Sequence, residues 1–82
     1  MVEQFWPQKI EQKFYDALFK NRKNLKLLDL SQNRLYSIEE NAFKFLNELK
    51  VLNLNLNPNL NVSNKTFIGL NKISTIYFSR NS

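Results

Sequence analysis

The sequence has no cysteine and no histidine, and only one glycine, two prolines and one tryptophan in 82 residues. The first two absences exclude the most. Within this chain there is no disulfide framework, no Cys/His zinc site, no thiol nucleophile and no Ser-His or Cys-His catalytic pair. One glycine and two prolines are too few for a low-complexity linker. No apolar run approaches the roughly 18–20 residues that cross a bilayer, and Met1–Lys20 lacks the profile of a signal peptide. What the chain does have is a hydrophobic fraction of 43%, which is neither disordered nor membranous in character. It carries 12 Lys+Arg against 7 Asp+Glu, a net charge of +5. Its unusual abundance is asparagine, at 13 positions.

Written in steps of 24, the chain aligns with itself. Leu25, Leu49 and Ile73 share a column, as do Leu28, Leu52 and Ile76, then Leu30, Leu54 and Phe78, then Asn33, Asn57 and Asn81. The weaker half keeps the step, with Ile38 over Val62, Phe43 over Phe67 and Leu46 over Leu70. One irregularity interrupts it. Leu35 follows Asn33 by two residues, but Leu60 follows Asn57 by three, across Asn57-Pro58-Asn59, and register recovers by Val62. Leu28 and Leu30 alternate at period two, which predicts a short strand with both on one face. Stacked in parallel about 4.8 Å apart, such strands line the interior with apolar ladders. Asn33, Asn57 and Asn81 mark where the chain leaves the strand. A buried amide there can satisfy turn N–H and C=O groups that no ladder bond reaches. Ile38, Phe43 and Leu46 are expected to face inward from the opposite side.

The pattern LxxLxLxxNxL continued as xxIxxxxFxxL, met at every position from Leu25 to Leu46, resembles a leucine-rich repeat of the 24-residue type. The wording "NLKLLDLSQNRLYSIEENAFKFL" and "LNLNLNPNLNVSNKTFIGL" is similar to the ectodomains of Toll and Toll-like receptors. The resemblance runs from about Leu18 to Asn81. It implies an α/β repeat, a solenoid with parallel strands on its concave face. The expected organisation is an N-terminal helical cap over 1–24, repeats over 25–48 and 49–72, and a partial repeat over 73–82.

The two ends are read separately. Counting back 24 from Leu30 and Asn33 gives Trp6 and Lys9, so the pattern fails before Leu18. Ile10, Phe14, Ala17 and Leu18 recur at helical spacing behind Pro7, which predicts a helix shielding the first coil. At the other end, the last strand, expected over Ser74–Ser79, offers an uncovered apolar edge. Either further coils follow it, or a second copy covers it by self-association through Ile73–Phe78.

Strand residues between the inward Leu positions face the concave side: Leu27, Asp29, Ser31 and Gln32, then Val51, Asn53, Asn55 and Leu56, then Thr75, Tyr77, Ser79 and Arg80. Leu27, Val51, Leu56 and Tyr77 stand out, because exposed apolar and Tyr positions anchor protein contacts. By fold analogy, such a face binds a protein or peptide ligand. The alternatives are a purely structural solenoid segment and an electrostatic binder of membranes or nucleic acid through Lys20-Asn21-Arg22-Lys23. No aromatic interleaving or nucleic-acid motif accompanies that cluster, so it reads as solvated surface. Asn61-Val62-Ser63 and Asn64-Lys65-Thr66 match the N-glycosylation pattern. With 13 Asn and Ser+Thr at 8 of 82 positions, chance alone supplies about 1.3 such sites, so the pair carries no evidence of secretion. Glu39 and Glu40 are adjacent and diverge, and Gly69 sits in "FIGL", not in a phosphate loop. The expectation is a non-enzyme without cofactor or metal. The resemblance, and nothing else, points to the cell exterior.

Overall fold

The computed structural model describes residues 2–4, 9–10 and 22–79. Four short strands form a parallel sheet: β1 (Val2–Gln4), β3 (Leu27–Asp29), β5 (Val51–Asn53) and β6 (Thr75–Tyr77), in the order β1-β3-β5-β6. A two-stranded sheet pairs β2 (Lys9–Ile10) with β4 (Ser37–Ile38), which follow β1 and β3 in the chain. From β3 onward the 24-residue step is the strand register itself, with Leu28 opposite Leu52 and Leu52 opposite Ile76. The bonds flanking the strands repeat as well. Leu30 N–H donates to Asn53 O at 2.9 Å, and 24 residues on Leu54 N–H donates to Tyr77 O at 2.8 Å.

The inward Leu columns form the core. Leu28, Leu30, Leu52 and Leu54 are fully buried from the sheet side, and Phe43 and Leu46 from the other. Each buried Leu removes about 1.5–3 kcal/mol worth of apolar surface from water. Burial weakens along the stack: Ile73, Ile76, Phe78 and Phe67 are only partly covered. Opposite the sheet the chain runs through turns, and a 3-10 helix at Asn64–Phe67 is the one helix among the described residues.

The helical cap expected over 1–24 is not seen. Val2–Gln4 pairs in parallel with β3, Glu3 opposite Leu28, and Lys9–Ile10 pairs with β4. Residues 11–21, where the helical period would run, lie outside the described residues. The reason for strands here is the outer edge of β3. Its N–H and C=O groups need partners, and an extended segment supplies them where a helix, bonded within itself, cannot. The step hides this extra coil: β1 pairs 25 residues before β3, and β2 pairs 28 before β4. Four residues join β1 to β2, where seven join β3 to β4.

The irregular loop after Asn57 has a backbone cause. Gln32 and Leu56, one step apart, both take the left-handed conformation, at φ 57° and 62°. In the first coil Arg34 does so too, at φ 56°. Its counterpart is Pro58, whose ring holds φ near −65° and forbids that turn. The second coil inserts one residue instead, and Leu60 reaches the core at the position Leu35 fills before it.

Candidate functional site

The strip expected on the concave side is built on the sheet face by the side chains that alternate with the buried Leu. Leu27, Val51 and Thr75 stand side by side through strand pairing, each half-buried. Asp29, Asn53 and Tyr77 form the next row, and Ser31, Asn55 and Ser79 the one after. Arg80 lies outside the described residues.

Much of the polar part of this strip is engaged. The Asp29 carboxylate accepts the Ser31 N–H at 2.9 Å and the Ser31 hydroxyl at 2.6 Å. Asn53 Oδ1 accepts the Asn55 N–H at 3.0 Å, the same i to i+2 closure one coil later. The third coil has Tyr77 at that place, which cannot make this closure. There the Ser79 N–H donates to Asn55 Oδ1 of the preceding coil, at 2.7 Å. The Asx-x-Ser/Asn spacing at Asp29–Ser31 and Asn53–Asn55 was the sequence signal for this role. Tyr77, released from it, is 51% exposed.

Leu56 is the other protruding apolar group, 36% exposed. Its N–H donates to Ser79 O at 2.7 Å, which sets it at the end of the strip, past the row of Asn53 and Tyr77. A branched residue at φ 62° is disfavoured by about 1–2 kcal/mol. Glycine or asparagine would hold this turn with less strain. No spacing in the sequence announced that strain. The other exposed large apolar groups among the described residues, Tyr36 and Ile68, lie outside the strip.

Behind the strip, Asn57 holds two coils together. Its Oδ1 accepts the N–H groups of Asn33 and Leu35, both at 3.0 Å, and its amide donates to Leu30 O and Leu54 O, both at 3.0 Å. Asn33 is as deeply placed, at 5% exposure, yet neither amide atom has a hydrogen-bond partner among the described residues. By the Asn57 pattern, the partners of Asn33 belong to residues 5–8, between β1 and β2, which lie outside the described residues. Asn81 lies outside the described residues. Of the two glycosylation patterns, Asn61 and Ser63 are both exposed. Asn64 is exposed too, but it opens the 3-10 helix, and its Thr66 is buried with its hydroxyl accepting the Ser63 N–H at 3.0 Å.

On the flank where the chain enters the strands, Lys26 and Glu48 pair at 3.0 Å. The Lys26 hydrogen bond and charge, with the charges of Lys72 and Lys50, hold the Glu48 carboxyl below its ordinary value against a small opposing effect of burial. As a surface pair it contributes little to stability. Among the described residues no three Asp, Glu, His or Cys side chains gather where they could hold a metal, and no helix is long and apolar enough to cross a membrane.

The strands, the inward Leu ladders and the Asn57 turn together make a stacked coil with one polar-apolar strip on its sheet face. A family profile described as leucine rich repeat matches residues 12–58 and again 23–82. Comparison with curated proteins and with solved structures finds no match. The two profile matches cover most of the length, and the chain belongs to the leucine-rich repeat family.

Proposed function

We propose that this chain is a non-catalytic interaction module that binds a protein or peptide ligand on its concave strip. Leucine-rich repeats generally mediate protein–protein interaction. The observation that carries the reading for this chain is Leu56, a branched apolar residue kept in a left-handed turn and left exposed on the strip that also carries Tyr77. Folding alone favours asparagine or glycine there; a partner that buries the side chain favours leucine. Leu27, Val51 and Thr75 supply the floor, and Asp29, Ser31, Asn53 and Asn55 stiffen the strand ends so that little order is lost on binding. The likeness of its wording to Toll-like ectodomains supports a place in a receptor-ectodomain-like protein at the cell surface.

The test is a random peptide library panned against the protein, with the clones re-measured on variants. Leu56→Asn is expected to raise unfolding stability by about 1 kcal/mol while weakening the selected peptides, and Tyr77→Ala to weaken them at near-unchanged stability. Ile68→Ala, away from the strip, leaves them bound. Clones indifferent to both strip variants would assign the strip to the competing reading, a solenoid segment with no ligand of its own.

A further inference from the structure

The flank that carries the Lys26–Glu48 pair has a composition unlike the rest of the surface. It is made by the residues just before the strands: 23–26, 47–50 and 71–74. Each stretch buries or half-buries its apolar member, Leu25, Leu49 or Ile73, and exposes its other residues, Glu48 being half-buried. The backbones stack directly. Lys26 O accepts the N–H groups of Lys50 and Val51, at 2.9 and 3.1 Å, and Lys50 O accepts those of Ser74 and Thr75, at 2.9 and 3.1 Å. Lys26 and Lys50 are therefore neighbours across one strand spacing of about 4.8 Å, and Lys72 stands one step beyond Glu48 in the same column. Four lysines face one glutamate, which is committed to Lys26. Lys23, Lys50 and Lys72 are exposed, with no ion pair among the described residues.

Between these lysines lie Asn24, Asn47 and Asn71, all exposed, whose side-chain amides make no hydrogen bond among the described residues. Their chemistry distinguishes among anionic partners. Phosphate groups of a nucleic acid or a lipid only accept hydrogen bonds, so half of each amide is wasted on them. A peptide bond both donates and accepts, and an Asn amide matches it group for group. The flank has no aromatic side chain on which a base could stack.

We propose that this flank is a second recognition surface, distinct from the concave strip, for an acidic stretch of polypeptide: Lys23, Lys50 and Lys72 meet its carboxylates while Asn24, Asn47 and Asn71 bond its peptide groups.

Fluorescence anisotropy of a labelled peptide of alternating Glu and Ser, titrated with the 82-residue protein at low salt, tests this. The peptide is expected to bind, and to bind less as salt rises and the charges are screened. Lys50→Glu with Lys72→Glu should weaken it by on the order of tenfold or more. Asn47→Ala with Asn71→Ala should weaken it about threefold, the loss of roughly one net hydrogen bond, and leave a labelled oligothymidylate of equal charge unaffected. Tyr77→Ala should leave the peptide titration unchanged, which keeps this surface separable from the concave one. All substituted positions are exposed, and circular dichroism checks that the variants fold. Absence of peptide binding at low salt overturns the proposal. So does tighter binding of the oligothymidylate, or of vesicles of phosphatidylcholine and phosphatidylserine, and so does loss of binding in Tyr77→Ala.

Discussion

Asn57 and Asn33 occupy the same column and differ in what surrounds them, which makes them a matched pair for measurement. Replacing Asn57 by Ala leaves two buried N–H groups and two carbonyls without their side-chain partner. At about 1–3 kcal/mol for each group that stays unpaired, a loss of at least about 3 kcal/mol is expected by urea unfolding. That is a large share of the stability of so small a unit. Asn33→Leu removes an amide that has no partner among the described residues, at a buried site. It is expected to be neutral or to stabilise by up to about 1 kcal/mol. Equal losses in the two variants would show that the Asn33 amide is hydrogen-bonded by residues outside those described. Of the 13 asparagines, Asn53, Asn55 and Asn57 now have bonding roles within and between coils. Abundance alone could not have separated them from the exposed ones.

At the scale of elements, β3, β5 and β6 were legible because each presents apolar residues at fixed offsets from an Asn. The step of 24 in the letters is the step of the hydrogen bonds. Strands β1 and β2 were not legible, for two physical reasons. Their offsets are 25 and 28, so no single step finds them. Glu3 stands opposite Leu28, so the apolar column is also broken. The helical spacing of Ile10, Phe14, Ala17 and Leu18 then offers a competing pattern, although Ile10 belongs to a strand. The concave rows followed from alternation, whereas the left-handed turn at Leu56 leaves no periodic trace and needed coordinates. Gly69 illustrates the same gap. Its φ is +98°, and a Cβ there would lie 2.5 Å from Lys44 Cα and 2.9 Å from Lys44 O, backbone atoms that cannot swing aside. Gly69→Ala is expected to cost about 2 kcal/mol or more, read as a lower urea midpoint, while Lys65→Ala nearby changes little.

At the scale of the whole molecule, the open question is the outer side of β6. It is the last strand of the sheet among the described residues, and Ile76 and Phe78 beside it are only partly buried. A parallel edge with no partner among the described residues and with half-covered apolar groups is a template for another strand. The 82-residue polypeptide is therefore expected to self-associate reversibly in sedimentation at high concentration. Ile76→Lys, which puts a charge at that edge, should shift it toward monomer. A wild type that stays monomeric while unfolding cooperatively would mean that the edge is adequately protected as it stands. The charges on the flanking surface leave the strip itself nearly neutral, with Asp29 its single described charge, so salt should separate binding on the two surfaces.

The direction in which Asn57 reaches has a consequence for how the chain is made. Its amide bonds backward, to Asn33, Leu35 and Leu30 of the coil before it. As the polypeptide leaves the ribosome, the turn at Asn33–Leu35 emerges first, and its N–H groups wait for a side chain 24 residues behind. At roughly 5–20 residues per second that is a delay of about 1–5 s, far longer than local turn closure takes. The coil that holds Asn33 is thus finished by its successor, and nascent chains arrested just before and just after Asn57 clears the exit tunnel should differ sharply in their resistance to protease.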